Sequence, residues 1–124
     1  MKLTVVGNVP SQKNGKEIAI NRSTGQRFIR SNDRVKAWQE SAIQQLMLQF
    51  MGYQITDYPI GITLVFFFDS ERRHDLDNAA AGVMDALAKS GIITDDCVKY
   101  VDCLDLQYGG IDKINPRAEI YIDE

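Results

Sequence analysis

The run Tyr58-Pro59-Ile60-Gly61-Ile62-Thr63-Leu64-Val65-Phe66-Phe67-Phe68 constrains the fold more than any other part of the chain. It is rich in β-branched and aromatic residues and apolar on both alternating faces, the pattern of a central strand covered on both sides. No apolar run approaches the length needed to cross a bilayer, so this one is read as a buried strand. A chain of 124 residues holds one real core but not two. A single domain over residues 1–124 is therefore expected.

The remaining elements follow from periodicity and punctuation. Residues 2–9 alternate like a strand until Asn8, Pro10, Ser11, Asn14 and Gly15 break the pattern. Ile18-Ala19-Ile20 and Arg27-Phe28-Ile29 flank a turn-rich stretch with Gly25 near its tip, which predicts a small hairpin. Ser31, Asn32 or Asp33 can cap a helix whose apolar stripe is Val35, Trp38, Ala42 and Leu46, broadened by Ile43, Met47 and Phe50 and closed by Gly52. A second helix is predicted from about Asp77 to Ser90, with Lys89 suited to its negative end and Gly91 just past it. Strands at roughly 97–108 and 117–122, joined by a turn at Gly109-Gly110-Ile111-Asp112, complete the chain. The expected class is α+β, a mixed β-sheet packed with two helices.

The formal net charge of −3 and pI near 5.1 argue against a protein that coats DNA by bulk electrostatics. Positive charge is nevertheless concentrated early, at Lys13, Lys16, Arg22, Arg27, Arg30, Arg34 and Lys36, while the C-terminal third is acid-rich. Cys97 and Cys103 are too few and wrongly spaced for zinc, and two reduced, partly buried thiols are expected. Alternation begins at once after Met1-Lys2 without an apolar leader, so a cytoplasmic protein with no membrane partner is expected.

The chemistry is concentrated in Arg72-Arg73-His74-Asp75-Leu76-Asp77-Asn78 and Gly91-Ile92-Ile93-Thr94-Asp95-Asp96. Separated acidic pairs are how proteins build oxygen-rich cages for a hard divalent cation, and the one helix between these two pairs is expected to bring them together. The spacing favours Asp75 before the helix and Asp77 at its cap, both facing one ion, with the free N–H groups of the first turn attracting phosphate. Asp95 and Asp96 point to opposite sides of extended chain, which leaves one of them as a direct ligand. Two carboxylates about 4 Å apart repel by roughly 4 kcal/mol at an effective dielectric near 20, so an ion-free cluster would protonate or splay. Plainer readings exist for the same residues. Asp77 can be a helix cap, Asp95-Asp96 a polar turn, Arg72-Arg73 surface counterions, Asp85 a salt-bridging helix residue, His74 a solvated loop histidine and Trp38 core. The hairpin arginines are a solvated face or, beside a metal site, a track for a nucleic-acid backbone.

The stretch from Arg72 to Asn78, continued by Met84-Asp85-Ala86-Leu87 and by Gly91-Ile92-Ile93-Thr94-Asp95-Asp96-Cys97-Val98, resembles the signature of the RusA-type Holliday junction resolvases. Val9-Pro10-Ser11 before a basic hairpin and the closing Pro116-Arg117-Ala118-Glu119-Ile120 strand resemble that family too. The resemblance implies a small α+β homodimer, common in phages and prophages, that binds branched DNA and cuts two opposing strands of a four-way junction in recombination and repair. It implies magnesium as cofactor, with manganese as a substitute ion. Asp75, Asp77 and Asp96 become the essential catalytic carboxylates and metal ligands, with Asp95 a supporting ligand; the charge pattern itself offers Lys13, Lys16, Arg22, Arg27, Arg30, Arg72 and Arg73 as the candidate DNA-binding set.

One departure stands out. The family usually carries a catalytic lysine four residues after the second Asp, where one helical turn aims it into the site, and here that residue is Ala81. Losing one preorganised cation can cost roughly 10²–10³ in rate. Either another basic residue substitutes, with Lys13 the best placed, or the enzyme is slow, or the chain is a weakened junction-binding protein that does not cut.

Overall fold

The apolar run does lie in the interior of a sheet. A computed structural model of the chain describes residues 1–11, 16–31 and 33–124, without the side chains of 16–19 and 28–31. The elements are β1 (Lys2–Val6), β2 (Lys16–Ile20), β3 (Arg27–Ser31), α1 (Asp33–Phe50), β4 (Ile60–Phe68), α2 (Leu76–Lys89), β5 (Val101–Ile111) and β6 (Arg117–Asp123). A four-stranded sheet runs in the order β1-β6-β4-β5, and β2 and β3 form a separate antiparallel pair. β4 pairs parallel with β5 and antiparallel with β6. Parallel neighbours need a crossover, and α2 supplies it. This is the predicted α+β arrangement of a mixed sheet with two helices. Among the described residues no helix is long and apolar enough to cross a membrane.

The two faces of β4 differ, where equal cover was expected. Ile60, Ile62, Leu64, Phe66 and Phe68 are buried and share one core with Ala42 and Leu46 of α1 and Val83 and Leu87 of α2. Gly61, Thr63, Val65 and Phe67 are only half-buried, because this second face is covered by side chains of the sheet itself. Arg117 lies 3.9 Å from the centre of the Phe67 ring. A Cβ on Gly109 would stand 2.6 Å from that same ring, so the residue there has to be glycine. Gly109 and Gly110 therefore continue β5 across a register shift rather than forming the expected turn. The turn comes later, where the Asp112 carboxylate accepts the N–H groups of Ile114 and Asn115.

Arg117 also bridges two carboxylates, donating to Asp112 at 3.0 Å and to Glu119 at 2.9 Å. The Asn115 N–H is the main cause holding the Asp112 carboxyl below its usual range, against some burial and with help from Arg117. Burial pushes the Glu119 carboxyl up, but hydrogen bonds from the Tyr121 hydroxyl and Arg117 outweigh it and leave it lowered. Groups depressed in the folded state stabilise above their unfolded pKa and lose that contribution as pH falls through the folded one. Arg117→Ala is thus expected to melt below the wild type at neutral pH, with the gap narrowing below about pH 4. Thermal unfolding across pH 2.5–7 checks this; a gap that widens in acid would contradict it.

The edge of the sheet at β1 is closed by α1. Gln49 accepts from the Thr4 N–H and donates to the Thr4 carbonyl, and Gln45 does the same for Val6. Each amide thus imitates one residue of a neighbouring strand. Met47, expected within the α1 stripe, is 56% exposed, because the buried stripe of α1 narrows to Val35, Ala42, Leu46 and Phe50. Cys97 and Cys103 are free, as expected, but exposed rather than partly buried.

Candidate active-site cleft

β4 delivers the chain into a cleft at its C-terminal end, the end of a parallel strand where α/β folds commonly bind ligands. The open space, about 340 Å³, is lined by Ser11, Phe68, Arg73, His74, Asp75 and Asn78, among others. Two backbone ties hold the opening loop over it. Gly7 donates to the Pro116 carbonyl, and the Asp69 N–H donates to the Asn8 side chain at 3.1 Å. His74 is half-buried rather than solvated: its ring stacks on Phe68 with centroids 3.9 Å apart, and Nε2 lies 3.3 Å from the Ser70 carbonyl, which fits an Nε2–H donor.

α2 starts one residue earlier than expected, with Asp75 as its cap in extended conformation and Asp77 already in the first turn. Asp77 is spent locally, accepting the Asn78 N–H at 2.9 Å. Asp75 makes no capping bond; among the described residues its carboxylate meets the Asn78 amide at 3.3 Å and Arg73 at 3.7 Å. An N-cap aspartate that does not cap is an exposed carboxylate kept available for something else. One Asp69 carboxylate oxygen, directly after Phe68, is buried without a hydrogen-bond partner among the described residues.

A second recess beside the cleft, about 190 Å³, is walled by Arg34, Arg72 and Arg73 with Asn8, Pro10 and Ser11. Arg72 and Arg73 were expected here, but Arg34 was not. It belonged to the early basic cluster, yet only the docking of α1 reveals which way its first turn faces. Arg22 and Arg27 are exposed on the hairpin, away from any described contact with the cleft. Lys13 lies outside the described residues, as do the side chains of Lys16 and Arg30.

The other acidic pair is elsewhere. Gly91 takes a left-handed conformation just past α2, with φ +83°. Ile92 and Ile93 then anchor in the core, and the Thr94 N–H donates to the Tyr58 hydroxyl at 3.1 Å. Asp95 accepts the N–H of Asp96, while the Asp96 carboxylate makes no hydrogen bond among the described residues. Strand β5 begins only at Val101, so a turn, not a strand entry, carries this pair. Tyr58 precedes the start of β4, whereas Asp75 lies beyond its end. The intervening α2, with 14 residues, spans about 21 Å and holds the two pairs apart rather than bringing them together. Among the described residues no three carboxylate, histidine or thiol side chains converge as a metal cage needs. The oxygen donors suit a hard cation in kind, but within one chain they do not fit a single ion. Asp85 has the plain role expected of it, bridging to Lys89 at 3.1 Å and accepting from Gln39 at 2.6 Å.

Comparison with known proteins agrees with the signature around these residues. A crossover junction endodeoxyribonuclease RusA from Aquifex aeolicus (strain VF5) is 35% identical over 63 residues, 51% of this chain and 49% of that protein. The match spans about half the length of that relative. Residues 9–123 match the family described as Endodeoxyribonuclease RusA, nearly the whole chain. The chain therefore belongs to the RusA endodeoxyribonuclease family.

Proposed function

We propose that this chain is a divalent-cation-dependent endonuclease, using magnesium or manganese, that resolves four-way DNA junctions by paired incisions as a homodimer. Family membership supports the nuclease class. The observation that carries the reading is the cleft at the end of β4, where the exposed Asp75 carboxylate stands beside a recess walled by Arg34, Arg72 and Arg73. Arginines position a phosphodiester by charge-assisted hydrogen bonds, and the first turn of α2 adds its N–H groups. Two symmetric cuts require two sites related by a two-fold axis, which a homodimer supplies. Incubation of a synthetic four-way junction with magnesium, with manganese and with neither ion tests the proposal. Paired nicks that depend on the ion are expected, and binding without cutting under both ions would overturn it.

The second reading, a junction binder that cuts weakly, is favoured by Ala81. That residue is exposed on α2, one turn beyond Asp77, so a longer side chain meets no steric barrier there. Ala81→Lys is expected to raise single-turnover cleavage by roughly 10–100-fold, up to the scale of one preorganised cation. Lys13→Ala should cripple the natural protein and matter much less in the Ala81→Lys background, because two groups serving one role are not additive. Equal losses in both backgrounds would show that Lys13 is not the substitute.

A further inference from the structure

The end of α1 carries an apolar surface that the core does not use. Met51 follows Met47 by four residues and Leu48 by three, which sets the three side by side, and they are 56% (Met47), 72% (Leu48) and 80% (Met51) exposed. Tyr53 extends the surface, its ring edge-on to Phe50 with centroids 5.3 Å apart. Stability does not explain Met51. It stands just past α1 in the left-handed region, at φ +50°, which strains a residue with a Cβ and which glycine or asparagine takes more readily. The chain thus tolerates backbone strain at the point where it holds a methionine out in water, and contiguous exposed apolar surface of this kind marks an interaction site.

The rim of this surface is anionic. A groove of about 250 Å³ beside it is lined by Met47, Phe50, Gly52, Tyr53, Ser90 and Gly91, where the C-terminal ends of α1 and α2 meet. Such helix ends carry partial negative charge, and α1 has no basic residue in its last turn to offset it. Lys89, in the last turn of α2, reaches back to Asp85 at 3.1 Å and to Gln39 at 3.3 Å. The Tyr53 hydroxyl donates to the Glu124 carboxylate at 3.3 Å. The Glu124 charge is the main cause that holds this hydroxyl above its usual range, with burial, the hydrogen bond and the Asp57 charge adding to it.

We propose that this surface docks an amphipathic helix of a partner protein, apolar on one side and rich in lysine or arginine along its flanks. The apolar side covers Met47, Leu48 and Met51, whose unbranched methionines adapt to varied shapes, and the flanking cations meet the two helix ends and Glu124. Charge decides against other occupants. An anionic lipid surface is repelled by this rim, and a second copy using the same face sets like charge against like. Asp75 caps the opposite end of α2, about 21 Å away along 14 residues, so a docked helix leaves the cleft open. The surface is independent of the nuclease reading.

The probe is a fluorescein-labelled synthetic helix of about five turns, with leucines on one side and lysines on the other. Fluorescence anisotropy should show it binding at least about 10-fold more tightly than a version with glutamate for lysine, and than one with its leucines scattered around the helix. Leu48→Gln combined with Met51→Asn should weaken binding at least about 10-fold while the melting temperature holds or rises, since asparagine relieves the left-handed position. Asp57→Asn with Glu124→Gln should weaken binding about 3-fold at low salt and flatten its salt dependence. Equal affinity for the three peptides, or full binding by the Leu48 and Met51 double variant, overturns the docking site. Two further results also overturn it. Association of the wild type in light scattering that the double variant abolishes assigns the face to a second copy, and sedimentation with phosphatidylglycerol vesicles that the double variant loses assigns it to lipid.

Discussion

Asp75→Asn, Asp77→Asn and Asp96→Asn are each expected to lower single-turnover junction cleavage by at least about 10²-fold, the scale seen on removing one preorganised electrostatic group. Junction binding without magnesium should hold or tighten, since each change also removes a negative charge that faces phosphate. All three side chains are exposed, and asparagine keeps their shape, so melting temperature should stay within a degree or two. That separates lost chemistry from lost folding. Asp95→Asn should be milder, because the family resemblance gives Asp95 only a supporting role. Full cleavage by any two of the three variants would overturn the assignment.

Gly109→Ala should destabilise the fold by about 1–3 kcal/mol, the range for overpacking a filled site. The new methyl would meet the Phe67 ring at 2.6 Å, and the Arg117 guanidinium 3.9 Å from the ring centre restricts its retreat. Arg117 is in turn pinned between Asp112 and Glu119. Urea denaturation gives the number directly. Pairing Gly109→Ala with Phe67→Leu should recover part of the loss, since the two sites share one contact. A loss under 0.5 kcal/mol, or no coupling, would show that the ring yields freely.

Much of the fold was legible because local signals agreed with one another. The apolar run, the turn around Gly25, Gly52 after α1 and Gly91 after α2 each mark a boundary that the structure keeps within a few residues. The misreadings have a common cause. Gly109-Gly110 looked like a turn because glycine marks both turns and close approaches, and only the position of Phe67 tells them apart. Asp75 and Asp77 share one side of extended chain, but the helix begins at Leu76, so the two obey different periodicities. His74 looked solvated because its partner, the Phe68 ring, is set by how the loop folds back. The composition of the candidate cleft was readable in part, since Arg72, Arg73, His74 and Asp75 line it or the recess beside it, although those residues also read as a helix cap, surface counterions and a loop histidine. Its placement was not, because a sequence states how many residues separate two acidic pairs but not that a straight helix fills the interval.

Gln45 and Gln49 have an effect beyond their four hydrogen bonds to β1, because they decide what that edge can accept. A subunit with two open edges can add neighbours on both sides and grow without limit, as filaments do. With β1 sealed from within by α1, no strand of another chain can add at that edge, which closes one of the two routes such growth needs. Two amides on one helix thus guard the sheet against open-ended edge-to-edge growth.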